Sequence, residues 1–233
     1  MKNKAKKNTK TKKVISKIKA PTIQDAVTKI KELAVERKRK FVESVDLAVN
    51  LGIDAKQSDQ SVKGSILLPN GSGKAVKVVV FVANDEQKKI ALESGAIFAG
   101  LEDLILKIEG GFYDFDCCIA TPDVMQKISK IARKLGPRGL MPTPKNGTVT
   151  NDIKTAIANA LKGKVDFKND KSGIVHCMVG KINFDSNSLL ENIQSVLKAI
   201  KDSKPESSKG KFIKHFYLNT TMGPSVEVAI DAI

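Results

Sequence analysis

Residues Val76–Val82 read VKVVVFV, apolar at every position but Lys77. A strand wetted on one side alternates apolar and polar residues, and a strand packed on both sides does not. This run therefore reads as a strand buried on both faces, inside a parallel sheet covered by helices. The residues after it agree. Asn84 opens a helix to about Glu93, a short strand follows at Ala96–Phe98, and a helix covers Leu101–Ile108. Asp116–Ala120 is a second buried strand. Thr121-Pro-Asp supplies an N-cap, a proline at the first helical position and an early acid, which predicts a helix to about Lys134. Asn151–Leu161 is helical again. Strands alternating with helices imply right-handed crossovers and an α/β domain.

On both sides of this segment the pattern changes. Upstream, Thr22 and Asp25 form a capping-box pair ahead of Ile23, Ala26, Val27, Ile30, Leu33 and Ala34 at helical spacing. Phe41, Val45, Leu47 and Val49 then recur with period two, which predicts one strand with a buried face. A second strand covers Lys63–Leu68 and breaks at Pro69-Asn-Gly-Ser-Gly73. Downstream, Val165–Lys168 and Ile174–Gly180 flank Asn169-Asp-Lys-Ser-Gly173 and read as a hairpin. Ser186–Lys201 carries Leu189, Leu190, Ile193, Val196, Leu197 and Ile200 on one helical stripe. Phe212–Leu218 and Val226–Ile230 are strands. The expected organisation is an α+β domain with an antiparallel sheet, built from residues 21–70 and 163–233. A Rossmann-like three-layer α/β domain at 71–162 is inserted into it, and residues 1–20 form a flexible basic tail.

The net charge of +15 is unevenly spread. Residues 1–20 hold nine lysines and no acid, leaving 31 basic and 25 acidic side chains elsewhere. Such a tail adds salt-sensitive attraction to phosphate, or merely solubility. It lacks the apolar segment of a secretory signal, and no apolar run approaches the ~18 residues of a membrane span. Cys117, Cys118 and Cys177 are odd in number and suit a reducing, cytosolic compartment.

No catalytic constellation stands out. Asn70-Gly-Ser-Gly-Lys-Ala75 lacks both the upstream glycine and the Ser or Thr after Lys74 that a phosphate loop needs, and it precedes a strand. His176 and Cys177 are neighbours on one strand and point to opposite faces, so they do not grip one metal. His176 and His215 read as partly buried core positions. No metal ligand set and no cofactor is expected. A nucleotide-dependent enzyme on the inserted domain is the alternative that these absences count against.

Three segments carry binding chemistry. Residues 134–148, KLGPRGLMPTPKNGT, form a stiff cationic loop within an acid-free stretch bearing Lys127, Lys130, Arg133, Lys134, Arg138 and Lys145. Lys127, Lys130 and Lys134 share a helix face, for phosphate or for water. In Thr220-Thr-Met-Gly-Pro-Ser225, hydroxyls of Thr220, Thr221 and Ser225 suit a ribose 2′-OH, Met222 offers an apolar contact and Gly223 permits close approach. A bulge between strands explains the same residues. In Arg37–Glu43, basic residues lead into Phe41, whose ring could stack on a base, with Glu43 on the same strand face.

The segments KFVESVDLAVNLGID (40–54), SDQSVKGSILLPNGSGK (58–74), DFDCCIATPDVM (114–125), KLGPRGLMPTPKNGTVT (134–150), FKNDKSGIVHCMVGK (167–181) and TTMGPSV (220–226) together resemble the first large-subunit ribosomal protein family, the "L-one" stalk proteins, of bacterial or plastid type. The resemblance spans about residues 22–231 and leaves out the lysine tail. It implies the same split-chain and inserted domains joined by a hinge. It implies binding to large-subunit ribosomal RNA to form the mobile stalk near the tRNA exit site, help in releasing deacylated tRNA, and repression of the protein's own messenger through its leader. RNA contacts are implied at Lys40, Phe41, Glu43, Lys168, Lys171, Thr221, Met222 and Gly223. Relatives commonly carry arginine where Lys168 stands, so a bidentate contact is not carried over. The loop at 134–148 is expected to be an elbow facing the interdomain cleft, with Arg138 and Lys145 as secondary RNA or tRNA contacts. The implied place is the ribosome of the cytoplasm or of the plastid stroma. A free-standing messenger regulator is the remaining alternative.

Overall fold

The first helix, α1 (Ile23–Arg37), starts on a reciprocal cap. The Thr22 N–H and hydroxyl donate to Asp25 Oδ2, and the Asp25 N–H donates back to Thr22 Oγ1 at 3.3 Å. The computed structural model describes residues 21–37, 39–55, 57–208 and 210–229. The lysine tail, Lys38 and the far end of the expected last strand at Ile230 lie outside them.

The chain folds into two domains. In the first, β1 (Ser44–Leu51), β7 (Ile174–Lys181), β8 (Ile213–Thr220) and β9 (Val226–Val228) form an antiparallel sheet in the order β7-β1-β8-β9. Helix α1 and the last helix, α7 (Ser186–Asp202), pack on one face of it. The α7 stripe of Leu189, Ile193, Val196, Leu197 and Ile200 is buried as its spacing requires. Each such side chain is worth about 1.5–3 kcal/mol. The core of this domain draws on Ile23–Leu68 and Phe167–Val228.

The second domain is built on the parallel sheet β4-β3-β5, from β3 (Val78–Phe81), β4 (Phe98–Gly100) and β5 (Cys117–Ala120). Every residue of β3 is buried, so VKVVVFV decided the architecture correctly. Val79 and Phe81 enter one apolar cluster, Val78 and Val80 the other, giving three layers. Helices α2 (Asp85–Glu93) and α6 (Ile153–Leu161) cover one face. Helix α3 (Glu102–Glu109) and the segment after Thr121 cover the other. Among the described residues no helix is long and apolar enough to cross a membrane.

Several local expectations need correction. The helix expected up to Lys134 is broken into α4 (Met125–Ile128) and α5 (Ala132–Leu135), with 3-10 turns at Pro122–Val124 and Ser129–Ile131. The Ser129 hydroxyl donates to the Met125 carbonyl at 3.0 Å, a back-bond that bends helices. The expected hairpin does not form. Strand β6 (Lys164–Lys168) pairs instead with β2 (Lys63–Leu67), and only Asn169↔Val175 bridges to β7. Asp170 still makes the turn, accepting from the N–H groups of Ser172 and Ile174 at 2.8 Å. Strand β4 starts two residues late because Gly95, at φ 101°, and the Ala96 N–H close the end of α2. His176 and His215 are not core residues: Val175, Cys177 and Phe216 take the inward phase and leave both rings exposed. Cys117 and Cys118 do sit in the sheet as apolar filler.

Candidate nucleic-acid interface

Two segments meet at one end of the antiparallel sheet. The Thr221 N–H donates to the Ser44 carbonyl at 3.1 Å, and the Ser44 N–H donates to Thr221 Oγ1 at 3.0 Å. The Lys181 ammonium donates to Ser44 Oγ at 3.1 Å. With a lone pair of Thr221 Oγ1 already engaged, its proton is left for an outside acceptor. Arg37 reaches the Met222 carbonyl at 3.4 Å, so the basic segment after α1 and the loop after β8 share one edge. Met222 and Phe41 are large apolar side chains left about half exposed there, at 54% and 52%.

Gly223 is required by space. A Cβ on it would lie 2.2 Å from Thr220 Oγ1, and its N–H closes the turn onto the Thr220 carbonyl at 3.1 Å. Thr220 itself is buried and unavailable to a ligand, whereas Thr221 and Ser225 are exposed. Phe41 and Glu43 do not share a strand face. The strand begins only at Ser44, Phe41 is in water, and Glu43 is buried at 3% exposure. The period-two reading of Phe41 started the strand three residues early.

Lys168 and Lys171 are exposed but stand elsewhere. Lys168 pairs with Lys63 in the β2–β6 ribbon, and the next residue bridges to Val175, which faces Val49 of β1. Val49 is five residues from Ser44, about 17 Å along the strand. The structure thus groups Lys40, Phe41, Glu43, Thr221, Met222 and Gly223, and sets Lys168 and Lys171 at the far end. Between them runs the outward face of the sheet, with a cleft of about 640 Å³ lined by Asp46, His176, Met178, Tyr217 and Asn219. Burial raises the Asp46 carboxyl above its ordinary range, against the pull of Lys181 and His176. His215 Nδ1 meets Glu227 Oε1 at 3.0 Å, and the Tyr217 hydroxyl donates to the same oxygen at 3.4 Å. Ser44, Asp46, Lys181, Tyr217 and Asn219 were not picked out from the sequence, and His176 and His215 were read as core positions. Only the strand register brings them to the edge, and register is invisible without the partner strands.

The loop at 134–148 is an elbow. Gly139 and Gly147, at φ 72° and 59°, end two 3-10 turns, Gly136–Arg138 and Pro144–Asn146. The Thr148 hydroxyl exchanges hydrogen bonds with the Thr143 backbone. The Asn146 amide donates to Asp166 at 2.6 Å, and the Asn146 carbonyl accepts from Lys164 and from Ser65, so the loop reaches the β2–β6 ribbon. Arg138 stacks on Tyr113, its guanidinium carbon 3.8 Å from the ring centre. The side chain of Lys145 lies outside the described residues. Lys134 donates to the Glu109 carbonyl at the end of α3 and Lys127 is 3.7 Å from Glu102, so these two lysines brace α3. Residues 70–75 form a crossing between domains that leads into β3, not a loop entering a helix. Among the described residues no cluster of three or more His, Cys, Asp or Glu is placed to hold a metal.

A two-domain fold with one chain-end sheet, an inserted parallel sheet and a cation-bordered edge of hydroxyl and apolar groups defines a class of interface-bearing, split-chain proteins. Residues 30–224 match the Ribosomal protein L1p/L10e family, and the chain belongs to it. Relatives named "Large ribosomal subunit protein uL1" are similar throughout. That of Coxiella burnetii (strain Dugway 5J108-111) is 47% identical over 214 residues, 92% of this chain and 90% of the relative. That of Pseudoalteromonas atlantica is 50% identical over 206 residues, 88% and 86% of the two chains. That of Chlamydia caviae is 45% identical over 210 residues, 90% and 89%.

Proposed function

We propose that this protein is a structural constituent of the large ribosomal subunit, at work on the ribosome and holding ribosomal RNA on the domain made from the two chain ends. The relatives carry the name of that subunit and no name of an enzyme. The observation that carries the RNA reading is the Ser44–Thr221 pairing. It sets a hydroxyl donor, Met222, Phe41 and a basic segment on one edge, the mixture that reads folded RNA through ribose, phosphate and unstacked bases. Lys40, Phe41, Thr221, Met222 and Gly223 form the principal contact, Glu43 supports it from below, and Lys168 and Lys171 meet backbone phosphate at the far end. Arg138 and Lys145 are secondary contacts facing RNA or exit-site tRNA.

The domains divide at residues 70 and 163, where two crossings act as a hinge, so the inserted domain swings as the outer part of the mobile stalk beside the tRNA exit site. That motion assists release of deacylated tRNA. The same RNA-binding edge represses translation of the protein's own messenger by binding a leader that imitates the ribosomal site. Sedimentation of cell extract through a sucrose gradient tests the reading. The protein is expected with the large subunit. Recovery only in the light fractions, bound to messenger, would replace the ribosomal role with that of a free-standing regulator.

A further inference from the structure

The sequence contains two Asn-Gly dipeptides, Asn70-Gly71 and Asn146-Gly147, and both lie where the two domains meet. Asn-Gly is the pair most prone to spontaneous deamidation, because glycine has no side chain to keep its nitrogen away from the asparagine amide carbon. The two asparagines are held differently. The Asn70 amide donates to the Ser188 carbonyl at 3.2 Å and to Glu191 at 2.8 Å, both inside the split-chain domain. Asn146 instead spans the cleft. Its amide donates to Asp166 Oδ2 at 2.6 Å, and its backbone carbonyl accepts from the Lys164 ammonium and, at 3.4 Å, from the Ser65 hydroxyl. Ser65 and Asp166 face each other in the β2–β6 register, so one elbow residue grips both strands of the ribbon. The Gly147 N–H, the nucleophile in deamidation, donates to the Pro144 carbonyl at 2.9 Å. While these bonds hold, the amide and the nitrogen that would attack it are both engaged elsewhere.

We propose that Asn146 is a deamidation site guarded by its own bonds across the cleft, and that the reaction cuts the inserted domain loose from the ribbon. The Gly147 nitrogen gives its proton to solvent and bonds to Asn146 Cγ, the Cγ–Nδ2 bond breaks, and ammonia leaves. Water then opens the succinimide at either carbonyl to give aspartate or isoaspartate, and nothing is oxidised or reduced. Either product sets a carboxylate, which only accepts, where an amide donated to Asp166. Burial already raises the Asp166 carboxyl above its ordinary range, and the Asn146 amide and Lys164 are what oppose that rise. Isoaspartate also lengthens the main chain by one carbon, which displaces the carbonyl that Lys164 and Ser65 hold. The bonds that protect Asn146 are the ones its reaction destroys, so an opening that lasts long enough to react is not undone by reclosing. The chemistry is independent of RNA binding; only its consequence for domain motion rests on the hinge proposed above.

The test ages the full chain and its Asp166→Ala variant at mildly alkaline pH and counts deamidation at each dipeptide by peptide mass spectrometry. Asp166→Ala is expected to deamidate about tenfold faster at Asn146, the effect of losing one charge-assisted hydrogen bond that resists local opening, and at an unchanged rate at Asn70. Equal rates at Asn146 in both proteins, or the same acceleration at Asn70, would overturn the guarding role. Should Asp166→Ala fail to fold, Lys164→Ala removes another of the three bonds and takes its place. Chain deamidated at Asn146, purified by its added charge, should then show a larger radius of gyration in small-angle X-ray scattering than unreacted chain. If its radius is unchanged while the Asn146→Ala/Lys164→Ala variant expands, the proposed release fails and the hinge stands. If neither expands, the hinge reading and the release fall together.

Discussion

Asn192 and Gly71 are joined across the start of the inserted segment. Asn192, fully buried on α7, donates from Nδ2 to the Gly71 carbonyl at 3.1 Å and to the Val179 carbonyl at 2.8 Å. Its Oδ1 accepts from the Asn70 N–H at 3.1 Å. One side chain thus satisfies three backbone groups and fastens the first crossing to the helix layer. The Asn70 amide adds bonds to the Ser188 carbonyl and to Glu191. Replacing Asn192 by Ala removes all three partners and leaves the buried Val179 carbonyl unsatisfied, which should cost about 1–3 kcal/mol, measured by urea unfolding. A loss under about 1 kcal/mol would mean that the crossing is not held there.

The fastening limits where the proposed hinge can bend. Residues 70–71 are pinned, and the return crossing is pressed against the outgoing one, because a Cβ on Gly163 would lie 2.5 Å from the Ser72 nitrogen. Bending is left to the residues just beyond. Across the interdomain cleft, Asn146 binds Lys164, Asp166 and Ser65 and ties the inserted domain to the β2–β6 ribbon. The Asn146→Ala/Lys164→Ala double variant should open the cleft and raise the radius of gyration in small-angle X-ray scattering. An unchanged radius would contradict the latch.

The parallel sheet and the last helix were legible in the sequence for different reasons. VKVVVFV declared a strand buried on both faces, and the α7 stripe declared a helix with one buried face; both patterns are local. The failures were of partnership. Val165–Lys168 and Ile174–Gly180 look like a hairpin because strand pattern and turn residues are present, and nothing local says that β6 must pair with β2. The site divided likewise. Thr221, Met222 and Gly223 stood out in the sequence as a loop with binding chemistry, and family resemblance supplied Lys168 and Lys171. Ser44, which orients the Thr221 hydroxyl, is a contact between residues far apart in the chain.

The cysteines predict an alkaline weakness. Burial pushes the Cys117 thiol up to about 11 and the Cys177 thiol up to about 12, and raises Cys118 as well, from an ordinary value of 9.0. Above about pH 9 the unfolded chain releases these protons while the folded chain keeps them. Their contribution is therefore full below pH 9 and is lost as pH rises toward 11–12. Between pH 8 and 10 each buried thiol should account for about 1 kcal/mol of lost stability. Urea midpoints of the Cys118→Ala/Cys177→Ala variant should fall less steeply over that interval than those of the unaltered chain, whatever the constant cost of the cavities. Parallel slopes would show that the thiols are accessible to hydroxide.

Thr221 and Met222 bear the sharpest prediction about RNA. Thr221→Val keeps the shape and the backbone pairing with the Ser44 carbonyl but removes the outward proton and leaves the Ser44 N–H without its side-chain acceptor. Met222→Ala removes the half-exposed apolar contact and leaves the carbonyl that receives Arg37. Each should weaken binding to the cognate large-subunit RNA by roughly 1–3 kcal/mol in a filter-binding titration. Thr221→Ser, which restores the hydroxyl, should recover most of the first loss. Deleting residues 1–20 should instead flatten the dependence of affinity on salt, since lysines in that segment act through counterion release. Near-normal affinity of both Thr221→Val and Met222→Ala would move the RNA site off this edge, and loss of specific binding on tail deletion at low salt would move it to the tail.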